Sequence, residues 1–181
     1  MKKIAQFILN LMGWKYEVLT PMFDKCVLVI APHTSNWDFL MGELGYTAMG
    51  SSANFVIKKE WTTGLLGPII KKLGGIGVDR SKANRFTDQI ADLYKTREKF
   101  SLAITPEGTR KRNPKWKKGF YHIAIKAQVP IVLVVIDYKK KYMALFDVFT
   151  PTGDEQADIR AIQQKYKYAT GKNPDQFSIG D

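Results

Sequence analysis

A run of five apolar residues, Cys26-Val27-Leu28-Val29-Ile30, breaks at Ala31-Pro32 and leads at once into His33-Thr34-Ser35-Asn36-Trp37-Asp38. An apolar run of this length, stopped by a proline, reads as a buried strand. Thr34, Ser35 and Asn36 are helix-capping residue types, and the apolar-rich stretch 37–46 reads as the helix they begin. A buried strand turning directly into a helix belongs in a layered α/β sheet. It sets His33 at a strand's carboxyl end, where such sheets bind ligands. On a regular helix, His33 and Asp38 would point roughly 140° apart. Across a strand-to-helix turn they can converge. A carboxylate on one imidazole nitrogen then leaves the other free to take a proton. A capping turn with an incidental histidine has the same spelling, so the pair alone decides nothing.

The same grammar recurs down the chain. Residues 54–57, 76–79, 101–105 and 130–136 read as core strands, 16–19 as an edge strand, and 142–149 as a partner of the 130–136 strand. Between them, Phe86, Ile90, Leu93 and Tyr94 mark one helix face, with Ser81 or Asn84 as its cap. Phe120, Ile123, Ala124 and Ala127 mark a second, and Ile159, Ile162 and Tyr166 a third. Stretch 64–73 reads as a broken apolar connection because Gly64 and Gly67-Pro68 interrupt it. The pattern predicts a single α/β domain over 15–168, with a mostly parallel central sheet flanked by helices. An amphipathic helix over 1–14 precedes it, and a loosely ordered tail over 169–181 follows.

Composition narrows the partners. The 181 residues carry a net charge of +11, which favours polyanions: nucleic acid, an anionic membrane surface, or phosphorylated and CoA-like molecules. The single cysteine, Cys26, lies inside an apolar run and reads as core; it excludes an internal disulfide framework. With His33, His122 and Cys26 as the only soft ligands, a zinc site is not expected, whereas an all-carboxylate magnesium site stays open. No stretch approaches the roughly 20 apolar residues that span a bilayer. Gln6 and Asn10 interrupt the apolar N-terminal stretch, which therefore reads as a mature segment facing the cytoplasm. Its Ile4, Phe7, Ile8 and Leu11 suit either packing on the core or a helix lying in a membrane interface with Lys2, Lys3 and Lys15 near headgroups.

Two further turns carry chemistry. Gly74-Gly75-Ile76-Gly77-Val78-Asp79-Arg80 brings a glycine-rich approach to an arginine, whose planar fork suits phosphate oxygens. Pro106-Glu107-Gly108-Thr109-Arg110 offers a carboxylate, a flexible backbone, a hydroxyl and a second guanidinium. Together they read as an anion clamp of Arg80 and Arg110, with Glu107 orienting Arg110 or an acceptor hydroxyl. Trp116, among Lys111, Arg112, Lys115, Lys117 and Lys118, suits a membrane interface or a stacked base. His122 reads as a side-face residue. There is no Gly-x-Ser-x-Gly elbow and no Walker A loop.

His33 to Asp38 resembles the His-x4-Asp block of the glycerolipid acyltransferase family, of the lysophosphatidic-acid acyltransferase type. Gly75 to Arg80 is similar to its second block, Pro106 to Arg110 to its Glu-Gly-Thr-Arg block, and Val129-Pro130-Ile131-Val132 to its fourth. All four stand in family order, although Leu133 replaces a frequent second proline and Gly77 a bulkier residue. The resemblance implies a glycerol-3-phosphate acyltransferase-like α/β fold. It implies transfer of a fatty acyl group from acyl-CoA or acyl-carrier protein to a lysophospholipid hydroxyl, such as that of 1-acyl-glycerol-3-phosphate. His33 would be the base, Asp38 its partner, and Arg80, Glu107, Gly108, Thr109 and Arg110 the acceptor site. No metal or cofactor beyond the thioester donor is expected. The expected place is the cytoplasm, peripheral on the inner membrane face. The competing expectations are a non-catalytic basic module binding nucleic acid or anionic lipid, and a degenerate acyltransferase that binds lipid without turnover. Neither explains the His33-Asp38 spacing together with the two arginine turns.

Overall fold

The apolar runs do become strands. The computed structural model describes residues 1–78 and 83–180. In chain order these are α1 (Lys2–Leu11), β1 (Lys15–Val18), β2 (Lys25–Ala31), α2 (Trp37–Met49), β3 (Asn54–Lys58), α3 (Lys59–Thr63), α4 (Gly67–Lys72), β4 (Gly75–Val78), α5 (Ala83–Thr96), β5 (Phe100–Ile104), α6 (Gly119–Ala127), β6 (Ile131–Asp137), β7 (Tyr142–Phe149) and α7 (Glu155–Lys165), followed by a 3-10 turn, Pro174–Gln176. The strands form one sheet in the order β1-β7-β6-β2-β5-β3-β4. Every pairing is parallel except β6 with β7. The expected edge strand stands at the edge, and 142–149 pairs with the 130–136 strand as read.

Strand β2 lies at the centre, between β5 and β6, with Val27 level with both Leu102 and Ile131. Side chains alternate across a strand. Val27, Val29 and Ala31 therefore enter the core beneath α5, α6 and α7, beside Leu102, Phe120, Ile123, Leu133 and Tyr166. Leu28 and Ile30 point to the opposite face, toward α2. Helix α1 packs on α2 through Ala5, Leu9, Met41 and Ala48. Gly45 lets α2 lie close to the sheet, because a Cβ there would come within 2.0 Å of Met143 Sδ. Helix α1 leaves Ile4, Phe7 and Leu11 exposed, as its amphipathic pattern requires. Among the described residues, no helix is long and apolar enough to cross a membrane.

Three expectations need correction. The 64–73 connection is broken at 64–66, where Gly64 ends α3, but is helical from Gly67 on. Pro68 sits in the first turn of α4, where its missing N–H costs nothing, and Lys71 and Lys72 close the last turn. The tail beyond α7 is not loose. Asn173 donates from its backbone N–H to Thr34 Oγ1 (3.1 Å) and from Nδ2 to the Thr34 carbonyl (2.7 Å). Trp116, read as a surface anchor or stacking platform, is buried in the core beside Tyr166, and its Nε1 donates to the Ser178 carbonyl at 2.9 Å. The stacking role that Trp116 lent to the nucleic-acid reading therefore falls.

Candidate active site

The rim is built by two adjacent strands. β2 and β5 run parallel, so the turns after them emerge side by side. In the turn after β2, Asp38 folds back from the first turn of α2. Its Oδ2 accepts from the Thr34 and Ser35 N–H groups at 2.7 and 2.8 Å. This carboxylate, rather than the expected side chains of Thr34 or Asn36, satisfies the N–H groups leading into the helix. Ser35 contributes by accepting from the Trp37 N–H. The same Oδ2 stands 3.2 Å from His33 Nδ1, with the ring 19% exposed and the carboxylate 3%. The two residues that a straight helix would separate thus meet at the turn.

A carboxylate beside Nδ1 keeps the proton there and leaves the Nε2 lone pair free. Burial alone would raise the Asp38 pKa. The His33 ring, the Ser35 and Thr34 N–H groups and the Tyr138 hydroxyl outweigh it and hold the carboxyl below its ordinary value. Asp38 is therefore an anion throughout the neutral range. Burial and that neighbouring anion push the Tyr138 hydroxyl above its ordinary pKa.

The second turn braces the first. Glu107 is buried, and its two carboxylate oxygens lie 3.0 and 2.9 Å from the His33 backbone N–H that donates to them. It holds the histidine's main chain, whereas Arg110, which the sequence suggested it would orient, pairs with Asn36 instead. Burial, with Asp38 nearby, pushes the Glu107 carboxyl up to about 7 despite the His33 N–H. Asn113 Nδ2 ties the turn by donating to the Glu107 carbonyl at 2.8 Å. Gly108, at φ +67°, adopts the left-handed conformation this turn needs. Thr109 Oγ1 accepts from the Lys111 N–H, and the exposed Arg110 guanidinium donates to Asn36 Oδ1 across the rim. Arg80, the other proposed clamp residue, lies outside the described residues, as do the end of the 76–79 strand and the Ser81 cap.

Behind His33 a cavity of about 1040 Å³ opens between α2 and the sheet. Its mouth carries His33, Asn36, Thr109 and Arg110. Its walls are formed by Leu28, Phe39, Met49, Ala103 and Leu145, and also by Glu43, which sequence reasoning missed. His122 lies away from this rim, paired with Glu155 at 3.0 Å.

A family model described as "Acyltransferase" matches residues 15–137, two thirds of the chain. A human 1-acyl-sn-glycerol-3-phosphate acyltransferase beta is 41% identical over 176 residues, covering 83% of this chain and 61% of that protein. A Limnanthes douglasii 1-acyl-sn-glycerol-3-phosphate acyltransferase is 34% identical over 88 residues, 45% of this chain and 31% of that one. The chain thus spans about six tenths or less of the length of these relatives. The crystal structure of the 1-acyl-sn-glycerophosphate acyltransferase PlsC from Thermotoga maritima superposes with a TM-score of 0.57 at 19% identity, over 94% of this chain and 80% of that one. That likeness establishes the fold. With the family model spanning β1 to the end of β6, and so both turns of the rim, this chain belongs to the acyltransferase family.

Proposed function

We propose that this protein moves a fatty acyl group from an acyl-CoA or acyl-carrier-protein thioester to the hydroxyl of a lysophospholipid such as 1-acyl-glycerol-3-phosphate. The observation that carries the reading is the 3.2 Å approach of His33 Nδ1 to Asp38 at the mouth of a deep, largely apolar cavity. The acceptor hydroxyl gives its proton to His33 Nε2 as its oxygen attacks the thioester carbonyl. The tetrahedral intermediate then collapses, and the departing thiol takes the proton back from the imidazolium. Asp38 stabilises that imidazolium, and Glu107 fixes the backbone from which the ring hangs. A positioned base of this kind contributes about 10²–10⁴-fold. Arg110, with Arg80 by family resemblance, holds the acceptor phosphate, so that attack becomes effectively unimolecular. The acyl chain lies along α2 in the cavity. Proton transfer and a thiol leaving group suffice for this chemistry, and no metal or cofactor is assigned a role.

Membrane attachment fits the same reading. Ile4, Phe7 and Leu11 of α1 are exposed beside Lys2 and Lys3, and Trp61, Leu65 and Ile69 form a second exposed apolar group near Lys58, Lys59, Lys71 and Lys72. Such faces suit insertion into an anionic interface on the cytoplasmic side of a membrane. The test is release of free thiol from acyl-CoA and from acyl-carrier protein across a panel of lyso-lipid acceptors. Acceptor-dependent release with a phosphate-bearing lysolipid is expected. Release from neither donor with any acceptor would overturn the reading.

A further inference from the structure

Among the described residues, the cavity lining holds one carboxyl group, that of Glu43, that acyl transfer does not use. Phe39, Glu43 and Tyr46 follow at helical spacing on the cavity side of α2. Around them the lining is apolar: Leu28, Met49, Ala53, Phe55 and Ala103, with the Phe39 and Phe55 rings in edge contact at 4.9 Å. Glu43 is half-buried, and among the described residues no hydrogen bond or ion pair meets its carboxyl group. Burial pushes that carboxyl up to about 7 with nothing to offset it. Glu43 lies five residues, about 7.5 Å of helix rise, beyond Asp38 on α2, and both line the cavity, so a chain that starts at His33 and runs along α2 would pass it.

We propose that the cavity selects an acyl chain bearing a hydroxyl group in the half nearer the thioester, and that Glu43 hydrogen-bonds this hydroxyl. The inference rests on the acyl-transfer reading for the identity of the chain. A purely methylene chain would dehydrate the carboxyl and leave it unpaired, which is unfavourable in an apolar site. A hydroxyl both donates and accepts, so it pairs with the carboxyl group in either protonation state. Sites built to hydrogen-bond a substrate hydroxyl reject the analogue that lacks it far better than apolar pockets reject an added hydroxyl.

The experiment is calorimetric binding of free fatty acids of one chain length, unsubstituted or with a single hydroxyl in the carboxyl-terminal half of the chain. The proteins are the wild type, Glu43→Gln and Glu43→Leu. The wild type should bind the hydroxylated acid on the order of tenfold tighter. Glu43→Gln should keep most of that preference, and Glu43→Leu should lose it while binding the unsubstituted acid several-fold more tightly. Equal binding of the two acids by the wild type, an unaltered ratio in Glu43→Leu, or no binding of either acid would overturn the proposal. Parallel transfer assays with the matching thioesters separate the two ideas. A binding preference without turnover leaves the hydroxyl subsite standing and removes the acyl-transfer reading, whereas turnover without preference does the reverse.

Discussion

The two faces of β2 use the same kind of residue for different ends. Val27, Val29 and Ala31 are fully buried against α5, α6 and α7, in a core closed by Phe120, Leu133 and Tyr166. Leu28 and Ile30, one residue out of phase, face a cavity of about 1040 Å³ beneath α2. Close packing maximises dispersion contacts and apolar burial on the first face. On the second face Leu28 is also packed, beside Tyr46, Val132 and Leu145, but the packing is incomplete and the half-buried Ile30 leaves contacts for a ligand to make. The packed face fixes the sheet, and the fixed sheet holds the rim turns above the open face. One parity along the strand thus serves stability alone, while the other serves stability and also walls the cavity.

Substitutions on the two sides should separate in what they change. Asp38→Ala removes the partner of His33 and the acceptor for two N–H groups at the start of α2. Acyl transfer should fall on the order of 10³-fold, measured as kcat with folding monitored by circular dichroism. Leu133→Ala, on the packed face, should cost about 2–5 kcal/mol by denaturant unfolding while activity per folded molecule stays close to wild type.

The rim should also write itself into the pH dependence of stability. Glu107 has its folded pKa raised from 4.5 to about 7, so the native state binds more protons than the unfolded state between those values. Stability should therefore fall as pH rises from about 4.5 to 7, by roughly 3 kcal/mol at most from this group. Glu107→Gln, which still accepts from the His33 N–H, should flatten that slope in unfolding titrations. Asp38 works in the opposite sense. Its depressed pKa stabilises the fold above the ordinary carboxylate range, and this contribution is lost only as strong acid protonates it. On the open face, Ala103→Leu fills cavity space. It should change unfolding free energy by less than about 1 kcal/mol, yet lower transfer of long acyl chains about tenfold while sparing short ones. A drop in stability like that of Leu133→Ala would mean that the cavity face is packed after all.

The central strands were legible because they are short apolar runs between punctuating residues, and the His33-Asp38 meeting because a strand-to-helix turn lets that spacing converge. What escaped notice depends on contacts far apart in sequence. Glu107 grips a backbone N–H 74 residues away, and a side chain accepting from main chain leaves no mark in the partner's identity. Trp116 looked like a surface residue because five cations surround it in sequence, but the returning tail supplies its partner at Ser178. Glu43 read as an ordinary helix charge because only the position of the sheet reveals that this side of α2 faces a cavity. Gly64 does end α3, but Gly67-Pro68 resembled a second break because a proline that starts a helix and one that prevents it are spelled alike.

The most direct test of the account is mass-spectrometric detection of diacyl product from acyl thioester and 1-acyl-glycerol-3-phosphate, using wild type and His33→Ala of equal thermal stability. Diacylated phospholipid is expected only when donor and acceptor are both present, with at least a roughly 10²-fold loss in His33→Ala. Equal product from His33→Ala, or none from the wild type with either class of thioester, would contradict it.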